Sequence, residues 1–360
     1  MMNSASYLRL ADHAHAWTSA ASRAALQQTA NTFRLFKGQG PVPTPTRGAT
    51  PHETVAEREG IKLLRYPARD GKAKASVVVV ASLINQYYVM DLLPEVSVID
   101  TLARKGMDVY VLDWAAPGAE GPQRDFSDYA DGFIPWAVEH ASKGGKPPHV
   151  LGYCMGGTLA VIHAARHPEQ VRSLTLLGAP VDFHKSGVLA TWTDRRYFDA
   201  DLMVDAFGNV PPFMLQSAFK TMATAGMVKK YSDLWERADD EGAVRHFLAV
   251  ESWLEDNIAF PGGLYRPYIR DCYQDNKLIK SEMVVAGKKV ELKKITMPLL
   301  TVVATKDNIC APAASLALQE VAGSTDKQAI EFETGHIGLT TSKRALKEMW
   351  PRVATWMLER

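Results

Sequence analysis

Cysteine is scarce: Cys154, Cys272 and Cys310 are the whole complement of 360 residues, and no two form a C-x-x-C pair. An odd, sparse set argues against a disulfide scaffold and against zinc-ligand spacing, and it suits a reducing compartment. Long hydrophobic runs are missing too. The stretch VVVVASLI (77–84) is of strand length, well short of the roughly 20 residues that span a bilayer. No continuous apolar segment follows the N-terminus, so no secretory leader is expected and the expected location is cytoplasmic. Nor does one sign of charge dominate. With 41 Lys and Arg against 40 Asp and Glu, interspersed, the formal charge of +1 gives no reason to expect nucleic acid or an anionic membrane as partner. Apolar residues are abundant at 46%, enough for a sizeable core in a chain longer than one average domain.

Residues 5–37 are Ala-rich, with Leu8, Trp17, Leu26, Phe33 and Phe36 among polar neighbours, which predicts one or two amphipathic helices. GQGPVPTPTRGATP (38–51) is too dense in Pro and Gly for helix or central strand. Residues 1–56 are therefore expected to be a helical arm and linker, with the core starting near Glu57. Strand-like segments then follow: IKLLRY, VVVVASL, DVYVLDW, HVLGY, RSLTLLG, LLTVVAT and AIEFE. Helical patterns separate several of them, as in EVSVIDTLARKG and TLAVIHAARH. Strands apolar on both faces, with helices between, predict an α/β fold with a mostly parallel sheet covered on both sides. Residues 183–291 break the rhythm, being helix-like and rich in large aromatics such as Trp192, Tyr197, Trp235, Trp253, Tyr268 and Tyr273. We read them as a cap inserted into a core of 57–182 and 292–360, although aromatics so spaced are more often ordinary packing.

HVLGYCMGGTLA (149–160) reads as strand, tight turn and helix. Its G-x-C-x-G matches the G-x-S-x-G elbow, in which small flanking residues let a nucleophile occupy a strained turn. Gly152 and Gly156 flank Cys154, and Gly157 gives the helix room to approach the sheet. Taken alone, the pentapeptide also fits a buried cysteine in a Gly-rich turn. The later partners tip the balance, because this architecture supplies nucleophile, acid and His in that order, each after a strand. Asp307 stands in KDNICAP after LLTVVATK, and His336 stands in TGHIG after AIEFE. Cys154, Asp307 and His336 are the candidate triad. The expected oxyanion donors are the backbone N–H of Met155 and one from the loop after VVVVASL, at Leu83 or Ile84.

These motifs resemble the polyhydroxyalkanoate synthases, cysteine-dependent relatives of the α/β hydrolases. The likeness covers roughly residues 60–360: SLINQYYVMDLLPEVSVIDTLARKGMDVYVLDW, GYCMGG, LGAPVDF, YRPYIRDCYQDNKL, GKKVELKKITMPLL and GHIG. It implies polymerisation of (R)-3-hydroxyacyl-CoA into polyester, with CoA released through a covalent Cys-acyl intermediate. Cys154 would accept the acyl group and His336 would generate its thiolate. Asp307 would orient His336 or assist deprotonation of the substrate hydroxyl. No cofactor or metal is implied, since hydroxyacyl-CoA is the substrate. The cysteine makes sense in this setting: one thioester is exchanged for another, so the acyl-enzyme stays reactive toward a hydroxyl. One departure is Asn308, where the family commonly has His directly after the Asp. Asn85, Tyr87 and Asp113 lie in matched segments near strand ends, as substrate contacts or as structural hydrogen-bonders. The length suits the short synthases that work with a second subunit. A partner subunit, a homodimer or hetero-oligomer, and attachment to a polyester granule surface are thus implied. A cysteine hydrolase of the dienelactone type, an acyl-CoA thioesterase and a non-catalytic granule scaffold are the alternatives.

Overall fold

Along the segment Ser76–Val80, alternate valines face opposite ways: Val78 and Val80 join one hydrophobic cluster, Val77 and Val79 another. A strand buried on both faces must lie inside a sheet with cover on each side. The computed structural model, which describes residues 4–142, 144–222 and 227–360, has this arrangement. Among the described residues the strands are β1 (Glu53–Arg58), β2 (Ile61–Tyr66), β3 (Ala75–Val80), β4 (Asp91–Leu93), β5 (Val96–Ser97), β6 (Met107–Asp113), β7 (His149–Tyr153), β8 (Leu174–Leu177), β9 (Val284–Val285), β10 (Lys288–Lys289), β11 (Leu299–Ala304) and β12 (Lys327–Phe332). Eight of them form one sheet in the order β1-β2-β6-β3-β7-β8-β11-β12. Pairing is antiparallel from β1 to β2 and from β2 to β6, and parallel from there on.

The helices are α1 (Ser4–Phe36), α2 (Val98–Arg104), α3 (Ile134–Ala141), α4 (Met155–Arg166), α5 (Val188–Trp192), α6 (Ala200–Phe207), α7 (Pro212–Met222), α8 (Met227–Glu236), α9 (Glu241–Leu254), α10 (Gly262–Pro267), α11 (Pro312–Val321), α12 (Gly338–Thr341) and α13 (Trp350–Leu358). Residues of α3 and α4 pack with Val78, Val150 and Leu174 on one sheet face. Residues of α2 and α13 pack with Val77, Leu151 and Val302 on the other. Among the described residues six α-helices, α5 to α10, lie between β8 and β11. Among the described residues no helix is long and apolar enough to cross a membrane.

One sequence expectation shifts. The sheet begins at Glu53 rather than near Glu57, because β1 turns into β2 through Glu59 and Gly60, both at positive φ (54° and 81°). Its sequence ETVAER is mostly exposed at the sheet edge and so carries no apolar signal. The arm is a single helix, α1, whose Ala30 packs with Leu234, Val244 and Leu248 of the segment 183–291. Arg34, buried in that contact, donates to the carbonyl oxygens of Ala238 and Gly40.

Candidate active site

The turn between β7 and α4 leaves one residue to redirect the chain, and Cys154 occupies it with φ 54° and ψ −128°. Gly152, Gly156 and Gly157, two and three residues away, must lack a side chain for steric reasons. A Cβ on Gly156 would stand 2.1 Å from the Val80 carbonyl oxygen, one on Gly157 2.2 Å from Ala179 Cβ, and one on Gly152 2.4 Å from the Gly157 Cα. The same crowding sets the first turn of α4 against the end of β3. Met155 is the first residue of α4, where an N–H has no intrahelical acceptor. Leu83 is buried in the loop after β3. The neighbouring N–H of Ile84 donates to Ser82 Oγ at 3.3 Å, and its carbonyl accepts from the Ile258 N–H at 3.0 Å.

Asp307 and His336 follow the adjacent strands β11 and β12, which brings their loops together at one end of the sheet. His336 Nδ1 lies 2.6 Å from Asp307 Oδ2. The other carboxylate oxygen accepts from the N–H groups of Ile309 (2.9 Å) and Cys310 (2.8 Å), so the acid is held at both ends. Both side chains are buried, whereas Cys154 is partly exposed. Burial by itself would depress the imidazole. The Cys154 sulfur on one side and the Asp307 carboxylate on the other outweigh it and raise His336 to about 10. Burial pushes the thiols of Cys272 and Cys310 well up, which leaves them protonated and inert.

The remaining candidates have other partners. Asn85 pairs its backbone with Asn257 in the segment 183–291. Tyr87 turns its hydroxyl to that of Tyr66, 3.3 Å away. Asp113 lies opposite Lys62 at the sheet's antiparallel side, its carboxyl pushed up by burial against the pull of Lys62 and His52. Asn308 is exposed. Other residues come to the site, among them Tyr268 and Tyr273, which the sequence offered only as cap aromatics. The ring of Tyr153 stacks on His336, and Phe183, Tyr268 and Tyr273 form an edge-to-face cluster (4.8–5.6 Å between centroids) in the electrostatic range of Cys154. Asn276, buried at φ 52°, accepts from the Phe183 N–H at 2.9 Å and donates to Asp182 at 2.8 Å. It locks LGAPVDF to YRPYIRDCYQDN, which gives those two stretches a shared physical reason. Among the described residues no three His, Cys, Asp or Glu side chains converge as metal ligands would.

Sheet order, strained elbow and paired Asp and His define an α/β hydrolase, and residues 89–341 match the α/β hydrolase fold family. Solved structures share that fold. The monoacylglycerol lipase of Paleococcus ferrophilus aligns with a TM-score of 0.52 and 17% identity over 83% of this chain and 98% of its own. Sequence relatives narrow the class. The poly(3-hydroxyalkanoate) polymerase subunit PhaC of Allochromatium vinosum is 33% identical over 87% of this chain and 90% of its own. Those of Haloferax mediterranei and Haloarcula marismortui are 37% and 38% identical over 87% of this chain, which spans 65% and 68% of their lengths. The chain belongs to the PhaC family of poly(3-hydroxyalkanoate) polymerases.

Proposed function

We propose that this chain polymerises (R)-3-hydroxyacyl-CoA through an acyl group carried on Cys154. His336 takes the Sγ proton, and the thiolate attacks the thioester carbonyl. The resulting oxyanion is held by the Met155 N–H, with Leu83 as second donor in preference to the already bonded Ile84. Collapse of this intermediate expels CoA as its thiolate, which takes the proton from His336. The hydroxyl of a further acyl unit then attacks the Cys154 thioester, giving its proton to His336, and the ester bond forms as the Cys154 thiolate leaves. Asp307 keeps Nδ1 protonated and the ring in register throughout. The observation that carries this reading is His336 pinned at 2.6 Å to a doubly held Asp307 and adjoining a cysteine on a strained elbow.

Residues 183–291 act as a cap that keeps water from the acyl-enzyme, and substrate enters when part of it moves. Ties between cap and core support that role: Trp253 Nε1 donates to the Gln86 carbonyl oxygen, and Tyr88 Oη to Asp256, both at 2.8 Å. The protein works at the surface of its polyester product and with a second subunit or a second copy of itself.

The test is to incubate the chain with 3-hydroxybutyryl-CoA, follow CoA release, and recover the acyl product, with Cys154→Ala in parallel. Insoluble polyester that the variant cannot make is the expected result. Free hydroxy acid instead of polymer would make the chain a thioesterase, and CoA release unchanged in Cys154→Ala would remove the cysteine from the chemistry.

A further inference from the structure

Tyr153 stands between Gly152 and Cys154, and no step of the chemistry above uses it. Its ring is 2% exposed and lies against the imidazole of His336, with centroids 5.3 Å apart and planes inclined by 25°. That is the offset stack that aromatic quadrupoles favour, and the face of a phenol also attracts an imidazolium. A second constraint comes from Gly178, at φ 52°, directly after β8. A Cβ there would lie 3.2 Å from His336 Cε1 and 3.3 Å from Nδ1, so a side chain at this position would press on the ring as well as strain the backbone.

The bond from Nδ1 to Asp307 fixes one atom of the imidazole but leaves the ring free to tilt about that contact. Tyr153 covers one face and Gly178 approaches the Cε1–Nδ1 edge, which limits that tilt. We infer that Tyr153 is a positioning residue, stacked on His336 so that the ring, backed by Gly178, presents Nε2 to the Cys154 sulfur. The inference rests on the reading of Cys154 as nucleophile and His336 as its base. The aromatic face is the working part. The Tyr153 hydroxyl has no partner at ordinary hydrogen-bond length and interacts at longer range with Thr340.

The experiment compares the full chain with Tyr153→Leu, Tyr153→Phe and His336→Gln. Two quantities are read: the pH profile of Cys154 alkylation by iodoacetamide, followed by mass spectrometry, and kcat and KM for CoA release from 3-hydroxybutyryl-CoA. Tyr153→Leu is expected to lose about 10- to 100-fold in kcat with little change in KM, as misplacement of a catalytic group does. Its alkylation profile should move toward that of His336→Gln, and Tyr153→Phe should restore both properties. A Tyr153→Leu profile that overlays the unaltered protein would overturn the inference, and so would a Tyr153→Phe as impaired as Tyr153→Leu. Identical profiles for the unaltered protein and His336→Gln would instead overturn the pairing of Cys154 with His336. Should Tyr153→Leu not fold, the unaltered protein still decides. The carbon-bound ring protons of His336, assigned by their loss in His336→Gln, must be shifted upfield by the Tyr153 ring current, and unshifted resonances would refute the stack.

Discussion

Cys154 keeps its backbone in a region that residues with a Cβ avoid, and the surrounding glycines and carbonyls hold it there. The strain is worth measuring because it sets the thiol at the mouth of the turn, beside the first N–H groups of α4. Replacing the residue by glycine removes the Cβ that makes the conformation costly, whereas alanine keeps it. Cys154→Gly should therefore be more stable to denaturant than Cys154→Ala by about 1–2 kcal/mol, and on the proposed mechanism neither variant should release CoA. Equal stability of the two would mean that the turn is relaxed and that the thiol is exposed for some other reason. This part of the site was legible in the sequence, since the spacing G-x-C-x-G is itself a record of where side chains cannot fit. The stack of Tyr153 on His336 was not, because a face-to-face contact between a strand end and a loop far apart in the chain leaves no local pattern in either.

Between β8 and β11 the helices differ in how they are held. α9 buries Val244, Leu248, Ala249, Glu251 and Trp253 and is tied to the core through an ion pair of Arg245 with Glu95 and a 2.8 Å contact of His246 Nε2 with the Thr341 carbonyl oxygen. α5 buries none of its residues and α6 only Ala200 and Val204, while Trp192, Tyr197 and Leu202 stand 38%, 75% and 68% exposed. Little apolar area opposes the opening of α5 and α6, so within the proposed cap we expect them to move to admit substrate. Amide hydrogen exchange should find residues 188–207 exchanging at least about 10-fold faster than residues 241–254, in keeping with the range of local stabilities within one fold. Slower exchange in 188–207 than in α9 would transfer the gating role to α9. Elements were readable where burial imposed a period: the central strands fall within a few residues of their expected limits. β1 escaped because an edge strand exposed on both sides needs no apolar alternation. The arm's docking onto α9 escaped because an amphipathic pattern tells which face is buried and not what covers it.

Across the whole molecule, pH acts on buried histidines near the same elbow, and the direction follows from each shift. His149 in β7 is 2.7 Å from Ser173 Oγ through Nδ1, and His163 in α4 is 2.9 Å from the Ala130 carbonyl oxygen. Burial, aided by Arg172, lowers His149 to about 3. Burial also lowers His163 to about 4, outweighing the Ala130 carbonyl. In the unfolded chain both return to about 6.5. Below that value the unfolded state takes up protons that the native state refuses, so their contribution is present above pH 6.5 and is lost as the pH falls toward 4. From pH 7 to pH 5 each should cost about 2 kcal/mol of stability. His336 works in the opposite sense: raised to about 10, it contributes fully below pH 6.5, and that contribution fades as the pH rises through 10. Its contribution grows by about 1 kcal/mol between pH 7 and 5, which offsets only a small part of the acid loss. Urea unfolding at the two pH values should show the drop, and His149→Gln should remove about 2 kcal/mol of it whatever its own effect at pH 7. An undiminished drop in His149→Gln would place the acid sensitivity elsewhere. Because His149 sits on the strand that leads into Cys154 and His163 on the helix that leaves it, mild acid should loosen the elbow itself, and CoA release should fall in step with the unfolding midpoint.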